Sequence, residues 1–108
     1  MSDGVNSTGG AGPPDGEEEV LAGDALMSAI TGLEWALDAG QLIKIVRCKD
    51  FAEALAYVNA VGEIAEAADH HPDIEIRWNT VTLRLFTHSR RALTAADVVL
   101  AHSIDTLD

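Results

Sequence analysis

Two runs in which apolar and polar residues alternate constrain this chain more than any other feature. The apolar residues occupy even positions in the first run and odd positions in the second, and the change occurs at Asn79–Thr80. Apolar residues at positions 74, 76 and 78 alternate with charged ones, and the apolar set resumes at positions 81, 83 and 85. Strict alternation is typical of a half-buried β-strand, because successive side chains point to opposite faces of the sheet. The change of parity therefore predicts a tight hairpin at Asn79–Thr80, with its second strand running to about His88.

A second hairpin is predicted earlier in the chain. Leu33–Leu37 and Leu42–Cys48 are apolar segments joined by a turn at Ala39–Gln41. Before them, Asp24–Ile30 has the pattern of a short helix, with its first residue as the cap and Gly32 just beyond its end.

The strongest helix signal begins at Asp50. Asp50 and Glu53 have capping-box spacing, with aspartate in place of the usual serine or threonine. Apolar or small residues then recur at helical spacing: Phe51, Leu55, Val58, Gly62 and Ala65. Pro72 disfavours helical geometry in the residue before it, so the helix is predicted to end near His70.

A third helix is predicted at the end of the chain. Thr94 and Asp97 form a second capping-box pattern after a polar loop at Ser89–Ala92. The element order is then α-β-β-α-β-β-α. Two hairpins separated by a helix predict an α+β fold, a four-stranded antiparallel sheet with helices on one face.

The first twenty residues differ in composition from the rest. They are rich in glycine, proline, serine and acidic residues, which predicts a disordered acidic tail at 1–20 and one folded domain at 21–108. The net charge is −11, and the predicted domain is acidic even without the tail. Phosphates require a basic surface, so direct binding to nucleic acid or to an anionic membrane is not expected.

The cellular compartment is predicted from three absences in the sequence. Cys48 is the single cysteine, so no internal disulfide can form. The sequence begins without the pattern of a secretory signal, and no apolar run approaches the roughly 18 residues of a membrane span. We therefore expect a cytoplasmic protein.

Three of the four histidines fall at predicted element ends. His70 and His71 lie where the long helix stops, and His88 lies where the last strand stops. Imidazole suits acid-base catalysis, because its usual pKa of about 6.5 is close to neutral pH. His70 is predicted in the last helical turn, where unpaired carbonyls favour a positive charge. Glu66 lies four residues earlier on the same helix face, so its carboxylate is predicted to meet His70.

Each of these residues also has a purely structural interpretation. The sequence His70-His71-Pro72 can end a helix with exposed imidazoles, and Glu66 can be a solvated carboxylate. The capping box alone accounts for Asp97. Three histidines could also bind zinc. Adjacent histidines on a turning backbone diverge, however, unlike the i, i+4 pair of zinc-binding helices, so no metal is expected.

Seven residues in fixed order and spacing resemble the signature of the pterin-4a-carbinolamine dehydratase family, also known as the dimerization cofactor of a hepatocyte nuclear factor. They are Glu66, His70, His71, Pro72, Trp78, His88 and Asp97. The likeness extends over about residues 24–107. It implies the dehydration of 4a-hydroxytetrahydrobiopterin to quinonoid dihydropterin, which recycles tetrahydropterin with no metal or organic cofactor.

The resemblance also implies a role for each of the matching residues. The catalytic residues would be His70, His71 and His88, with the choice of acid and base left open. Asp97 would orient His88, and Glu66 and Pro72 would help to shape the pterin pocket. A homodimer or a dimer of dimers is implied too, with edge strands pairing across subunits.

The alternative is a non-catalytic binding protein on the same fold. Relatives of the family act as transcriptional coactivators or as Rubisco assembly factors linked to carboxysomes. This chain departs from the family at Val46 and Cys48, where phenylalanines are common, and at Arg90–Ala92, where a Gly-Gly or Gly-Leu pair is common. These differences and the acidic tail leave a protein partner open.

Overall fold

The computed structural model describes residues 19–108, so most of the predicted tail lies outside the described residues. Where the description begins, Val20 forms an antiparallel bridge with Thr94. The backbone N–H of Leu21 donates to the carbonyl of Leu93 at 2.9 Å. The first described residues therefore run alongside the segment that precedes the last helix.

Within residues 19–108 the elements follow the order α-β-β-α-β-β-α, which confirms the predicted order and the α+β fold class. They are α1 (Gly23–Ile30), β1 (Ala36–Asp38), β2 (Gln41–Arg47), α2 (Phe51–Ala68), β3 (Asp73–Arg77), β4 (Thr80–Leu85), a short 3₁₀ helix (His88–Arg90) and α3 (Ala95–Asp105). None of the helices in this part of the chain is long and apolar enough to cross a bilayer.

The four strands form one antiparallel sheet in the order β1-β2-β4-β3. Its inner face packs against α2 and α3 through one apolar core. That core contains Leu42, Val81, Leu83 and Leu85 from the strands, and Ala54, Val61, Leu100, Ala101 and Ile104 from the helices. On the opposite face Ile45 is 62% exposed. The helices therefore cover one face of the sheet, as predicted.

The β1–β2 turn consists of two residues, Ala39 and Gly40, because Asp38 pairs with Gln41. Both turn residues have positive φ, 53° and 79°. Positive φ at both positions matches the right-handed twist of the strands and is the reason that hairpins favour this turn.

The β3–β4 turn lies one residue earlier than predicted. Arg77 pairs with Thr80, so the turn residues are Trp78 and Asn79. Asn79 makes hydrogen bonds to both backbone groups of Cys48: its carbonyl accepts from the Cys48 N–H at 2.7 Å, and its side-chain amide donates to the Cys48 carbonyl at 2.9 Å. This contact with the end of β2 positions the turn. The alternation of apolar residues along β3 and β4 does not predict it, because the contact involves a distant residue.

The long helix α2 buries only part of the predicted apolar stripe: Ala65 is buried and Val58 is partly buried against the core. Ala54, Val61 and Ala65 are buried, whereas Phe51 and Leu55 are 45% and 42% exposed. The buried face of the helix is therefore displaced from the predicted stripe toward Ala54 and Val61, which the predicted spacing did not include.

The predicted helix caps are confirmed only in part. Asp50 caps α2, since its Oδ1 accepts from the backbone N–H of Glu53 at 2.8 Å. The Glu53 carboxylate accepts from the N–H of Lys49 instead of completing the box with Asp50. At α1 the N-cap is Ala22, and Asp24 lies in the first turn of the helix instead of capping it.

Candidate active site

The end of α2 determines where the first histidine points. Asp69 follows the helix in the left-handed conformation, with φ of 54°. The His70 N–H donates to the carbonyl of Ala65, and the Asp69 N–H donates to that of Glu66, both at 3.2 Å, which is the bond pattern of a Schellman motif. His70 therefore lies beyond the helix, and the prediction that it occupies the last helical turn is wrong.

His70 is buried and bonded to a carboxylate from a distant part of the chain. Its Nε2 lies 2.6 Å from Oδ1 of Asp97, which belongs to the first turn of α3. His70 is 5% exposed and Asp97 is fully buried. Because a carboxylate can only accept, the imidazole Nε2 carries the proton in this pair.

The second oxygen of Asp97 is also occupied. Oδ2 accepts from the hydroxyl of Thr87 at 2.7 Å and from the backbone N–H of Thr94 at 2.9 Å. The latter bond belongs to the capping box predicted at Thr94 and Asp97, which is confirmed. With His70, three donors offset the large cost of burying this charge.

These bonds correct one predicted role. Asp97 was expected to orient His88, but its oxygens bond to His70, Thr87 and Thr94. Thr87 takes the place next to the carboxylate and His88, the following residue, is exposed. Neighbours on an extended chain point to opposite sides, so only one of the two can face Asp97.

Glu66 bonds to His71, and the predicted pairing with His70 is wrong. Oε2 of Glu66 lies 2.6 Å from Nε2 of His71. The two side chains are 78% and 32% exposed, so this pair is in contact with solvent. The i, i+4 rule holds only within a continuous helix, and the left-handed residue Asp69 interrupts the helix before His70.

His88 begins the short 3₁₀ helix after β4. Its ring packs edge-to-face against Phe86, with centroids 5.4 Å apart and planes at 79°. The loop is closed at its base by hydrogen bonds between Thr87 and Ala92 in both directions. Arg90 and Arg91 are exposed in the same loop.

The buried carboxylate of Asp97 is where three elements meet. Because His70 and Thr87 bond to the same carboxylate, the end of α2, the segment after β4 and the start of α3 lie together. His71, Glu66 and half-buried Pro72 adjoin His70 along the chain. The predicted site residues therefore lie on three chain segments that meet at this carboxylate, with His88 directly following Thr87.

Two buried hydroxyls at this place were not predicted as site residues. Both threonines belong to the segments that resemble the family, but Thr94 was given only the role of a cap and Thr87 was given no role. Within residues 19–108, no three histidine, cysteine or acidic side chains gather as a metal site would require.

The sequence matches the family model for pterin 4 alpha carbinolamine dehydratase over residues 19–107. That span is almost the entire part of the chain that the structure describes. The chain belongs to the pterin-4a-carbinolamine dehydratase family. The resemblance drawn from the spacing of the site residues is thus confirmed.

Bacterial proteins that carry the family's name are close in sequence. One from Nocardia farcinica is 42% identical over 90 residues, which cover 82% of this chain and 95% of the relative. Another from Acidobacterium capsulatum is 49% identical over 73 residues, covering 68% of this chain and 79% of the relative. Both alignments include most of each protein, so the likeness extends over the domain and not over one motif.

Solved structures share the fold. A Brucella melitensis protein, described as a transcriptional coactivator/pterin dehydratase, superposes with a TM-score of 0.76 at 26% identity, covering 82% of this chain and 98% of the other. A pterin dehydratase-like protein, described as a RuBisCO assembly factor in the alpha-carboxysome, gives a TM-score of 0.56 at 20% identity, covering 69% and 87%. The second likeness is one of fold alone.

Proposed function

We propose that this protein dehydrates 4a-hydroxytetrahydrobiopterin to quinonoid dihydropterin by histidine acid-base catalysis, and thereby recycles tetrahydropterin. In this reaction the C4a–O bond breaks while an acid protonates the hydroxyl, which leaves as water. A base removes the proton from N5, and the N–H electron pair forms the new double bond between N5 and C4a. The reaction therefore needs one proton donor and one proton acceptor, with no oxidant or reductant.

The observation that carries this proposal is a pair of adjacent histidines, each bonded to its own carboxylate. His70 lies 2.6 Å from Asp97, and His71 lies 2.6 Å from Glu66. A carboxylate partner fixes the orientation of an imidazole and stabilises its protonated form. Such pairs are suited to exchanging protons with a bound substrate, and each proton transfer contributes roughly 10²- to 10⁴-fold to the rate.

The two pairs differ in their access to solvent. The His70 and Asp97 side chains are 6% and 0% exposed, whereas His71 is 32% exposed. We propose that His71 exchanges its proton with water between turnovers, because its ring and Glu66 are reached by solvent. The buried pair provides a fixed imidazole beside the pterin, with Asp97 as its positioning residue. His88, on the loop after β4, completes the proposed catalytic set, and Pro72 helps to shape the pocket.

The test is the decay rate of the 4a-carbinolamine, generated in situ, with wild-type protein and with His70→Ala and His71→Ala. We expect the wild type to accelerate decay and each substitution to remove most of that acceleration. His102→Ala is the matched control, since His102 is an exposed histidine on α3 outside the site. It should retain the wild-type rate.

Two outcomes would count against the proposal. If well-folded wild-type protein does not accelerate decay, the dehydratase function is wrong. If the wild type is active but both site variants keep its rate, catalysis does not depend on these histidines. Circular dichroism of each variant distinguishes loss of function from loss of fold.

A non-catalytic binding protein is the second candidate. It is supported by the solved Brucella melitensis relative, which is described as a transcriptional coactivator/pterin dehydratase. The exposed Arg90 and Arg91 give the loop after β4 a basic surface on an acidic protein. A pull-down in which wild type captures a partner that Arg90→Ala/Arg91→Ala does not, together with absence of dehydratase activity, would favour this function.

We also propose that the protein forms a homo-oligomer. β1 and β3 are the two edges of the sheet within residues 19–108, and each edge presents backbone groups that a second copy can pair with. Leu37 on β1 is 40% exposed and Ile74 on β3 is 39% exposed, so each edge also offers an exposed apolar side chain. Light scattering that gives the mass of one chain at micromolar concentration would contradict the proposal.

A further inference from the structure

Thr87 is buried where the segment after β4 meets Asp97 in the first turn of α3. It is 3% exposed, and its hydroxyl lies 2.7 Å from Oδ2 of Asp97 and 2.8 Å from the hydroxyl of Thr94. Thr94 is fully buried. Neither hydroxyl can be hydrogen bonded to bulk water, so both depend on these partners.

The hydrogen bonds that join Thr94, Thr87 and Asp97 can run in only one direction. Asp97 has no proton to donate as a carboxylate, so the single hydroxyl proton of Thr87 goes to Oδ2. Thr94 must then donate its own hydroxyl proton to the oxygen of Thr87. The chain of donors runs from Thr94 through Thr87 to Asp97, and His70 donates to the other carboxylate oxygen.

The consequence is a defined orientation for the carboxylate. Oδ2 is held by the Thr87 hydroxyl and by the Thr94 backbone N–H, which leaves Oδ1 directed at Nε2 of His70. An Asp97 held in this way keeps the His70 proton on Nε2, because the other tautomer would place two acceptors against each other. Losing the Thr87 hydroxyl removes one of the two donors to Oδ2 inside a site closed to water.

Thr87 also adjoins the loop that carries His88. It immediately precedes His88, and its backbone pairs with Ala92 to close the loop that carries His88. The Thr87 hydroxyl thus contacts Asp97, the partner of His70, and the Thr87 backbone positions His88.

We propose that Thr87 is a positioning residue: its hydroxyl, which itself accepts from Thr94, holds Asp97 so that His70 stays in its Nε2–H tautomer. The effect on turnover rests on the proposed dehydratase function, but the effect on the His70 tautomer does not. Thr87 does not touch the reacting atoms in this proposal, and acts through Asp97 and His70.

The test compares Thr87→Val, which removes the hydroxyl and keeps the branched shape, with Thr87→Ser, which keeps the hydroxyl. Thr82→Val, on the outer face of β4, is the matched control for a threonine-to-valine change. The first readout is the ¹⁵N spectrum of the His70 imidazole in full-length protein, which distinguishes the two tautomers. The second is kcat and KM for carbinolamine dehydration.

We expect wild type, Thr87→Ser and Thr82→Val to hold His70 as the Nε2–H tautomer. Thr87→Val should give a mixture of tautomers and a kcat lowered roughly 10- to 100-fold, by analogy with the loss of an outer hydrogen-bond partner of a metal-bound histidine, with KM nearly unchanged. If Thr87→Val does not fold, Thr87→Cys provides the same test, because a thiol is only a weak donor.

A single His70 tautomer in folded Thr87→Val, identical to that of wild type, would overturn the proposal. So would a serine variant that fails to restore it. Inactive wild type with the expected tautomer change would refute the dehydratase function while leaving the positioning role intact. The two proposals can therefore fail separately.

Discussion

The substitution Asp105→Ala should destabilise the fold far more than Asp108→Ala, although both carboxylates bond to the same ammonium. Lys44 on β2 is 5% exposed, and its Nζ lies 2.7 Å from Asp105 and 2.5 Å from Asp108. Asp105 ends α3 and is 16% exposed, whereas Asp108 is 40% exposed. The two carboxylates share Lys44 as a partner, but they differ in burial and in the number of other donors that each one accepts from.

The magnitude follows from the bonds that each substitution removes. Asp105 also accepts from the indole N–H of Trp35 and from the backbone N–H of Glu34, both at 2.9 Å. Removing it leaves those donors unpaired and Lys44 with only Asp108. Breaking a buried ion pair costs about 3–5 kcal/mol, and slight exposure of Asp105 favours the lower end. The Lys44–Asp108 pair is the more exposed one, and exposed ion pairs contribute about 0–1 kcal/mol to the stability of the fold.

The assay is thermal and urea unfolding of both variants beside wild type. For a domain of this size about 1 kcal/mol lowers the Tm by roughly 4–8 °C, so Asp105→Ala should lower it by about 12 °C or more. Asp108→Ala should lower it by a few degrees at most. Equal losses of Tm in the two variants would refute the argument that the deeper burial and additional bonds of Asp105 make it the more stabilising carboxylate.

The same pair predicts a pH dependence. Burial alone would raise the pKa of Asp105, but hydrogen bonds from Glu34, Lys44 and Trp35 outweigh burial and lower it. A carboxyl whose pKa is lowered in the folded state contributes stability that is complete above the unfolded value of about 3.9. The stability advantage of wild type over Asp105→Asn should therefore shrink as the pH falls through the lower folded pKa. An advantage that stays constant down to pH 2 would contradict this linkage.

Three further outcomes are expected from other parts of the fold. Ala39→Asn should stabilise the protein by about 0.5–1 kcal/mol in urea unfolding, because asparagine tolerates positive φ better than alanine does at this turn; a loss of stability would contradict the turn assignment. Tyr57→Phe should be neutral or stabilising, since the Tyr57 hydroxyl is buried with no hydrogen-bond partner among residues 19–108; a loss above 1 kcal/mol would show that the hydroxyl is bonded in solution. Cys48 should react with thiol reagents at pH 8 more slowly than free cysteine does, because burial and the nearby Glu53 and Asp50 carboxylates raise its pKa; reaction at the free-cysteine rate would contradict the raised pKa.

The family was evident from spacing, because its signature consists of residue types at fixed separations. The contacts among the predicted site residues were not. His70 was paired with Glu66 in the prediction, since residues four apart share a helix face. Asp69 adopts a left-handed conformation and turns His70 toward Asp97, a carboxylate 27 positions away. No rule of local spacing relates residues so far apart.

What the sequence determined by itself is the type and order of the elements. Alternation identifies β3 and β4, and the capping pattern of Thr94 and Asp97 begins α3, because both signals depend on residues within a few positions of each other. Tertiary structure alone decided which stripe of α2 is buried, that Lys44 lies inside a charged cluster, and that Thr87 supports Asp97. Each of these depends on which elements pack together, and packing joins side chains whose separation along the chain carries no signal.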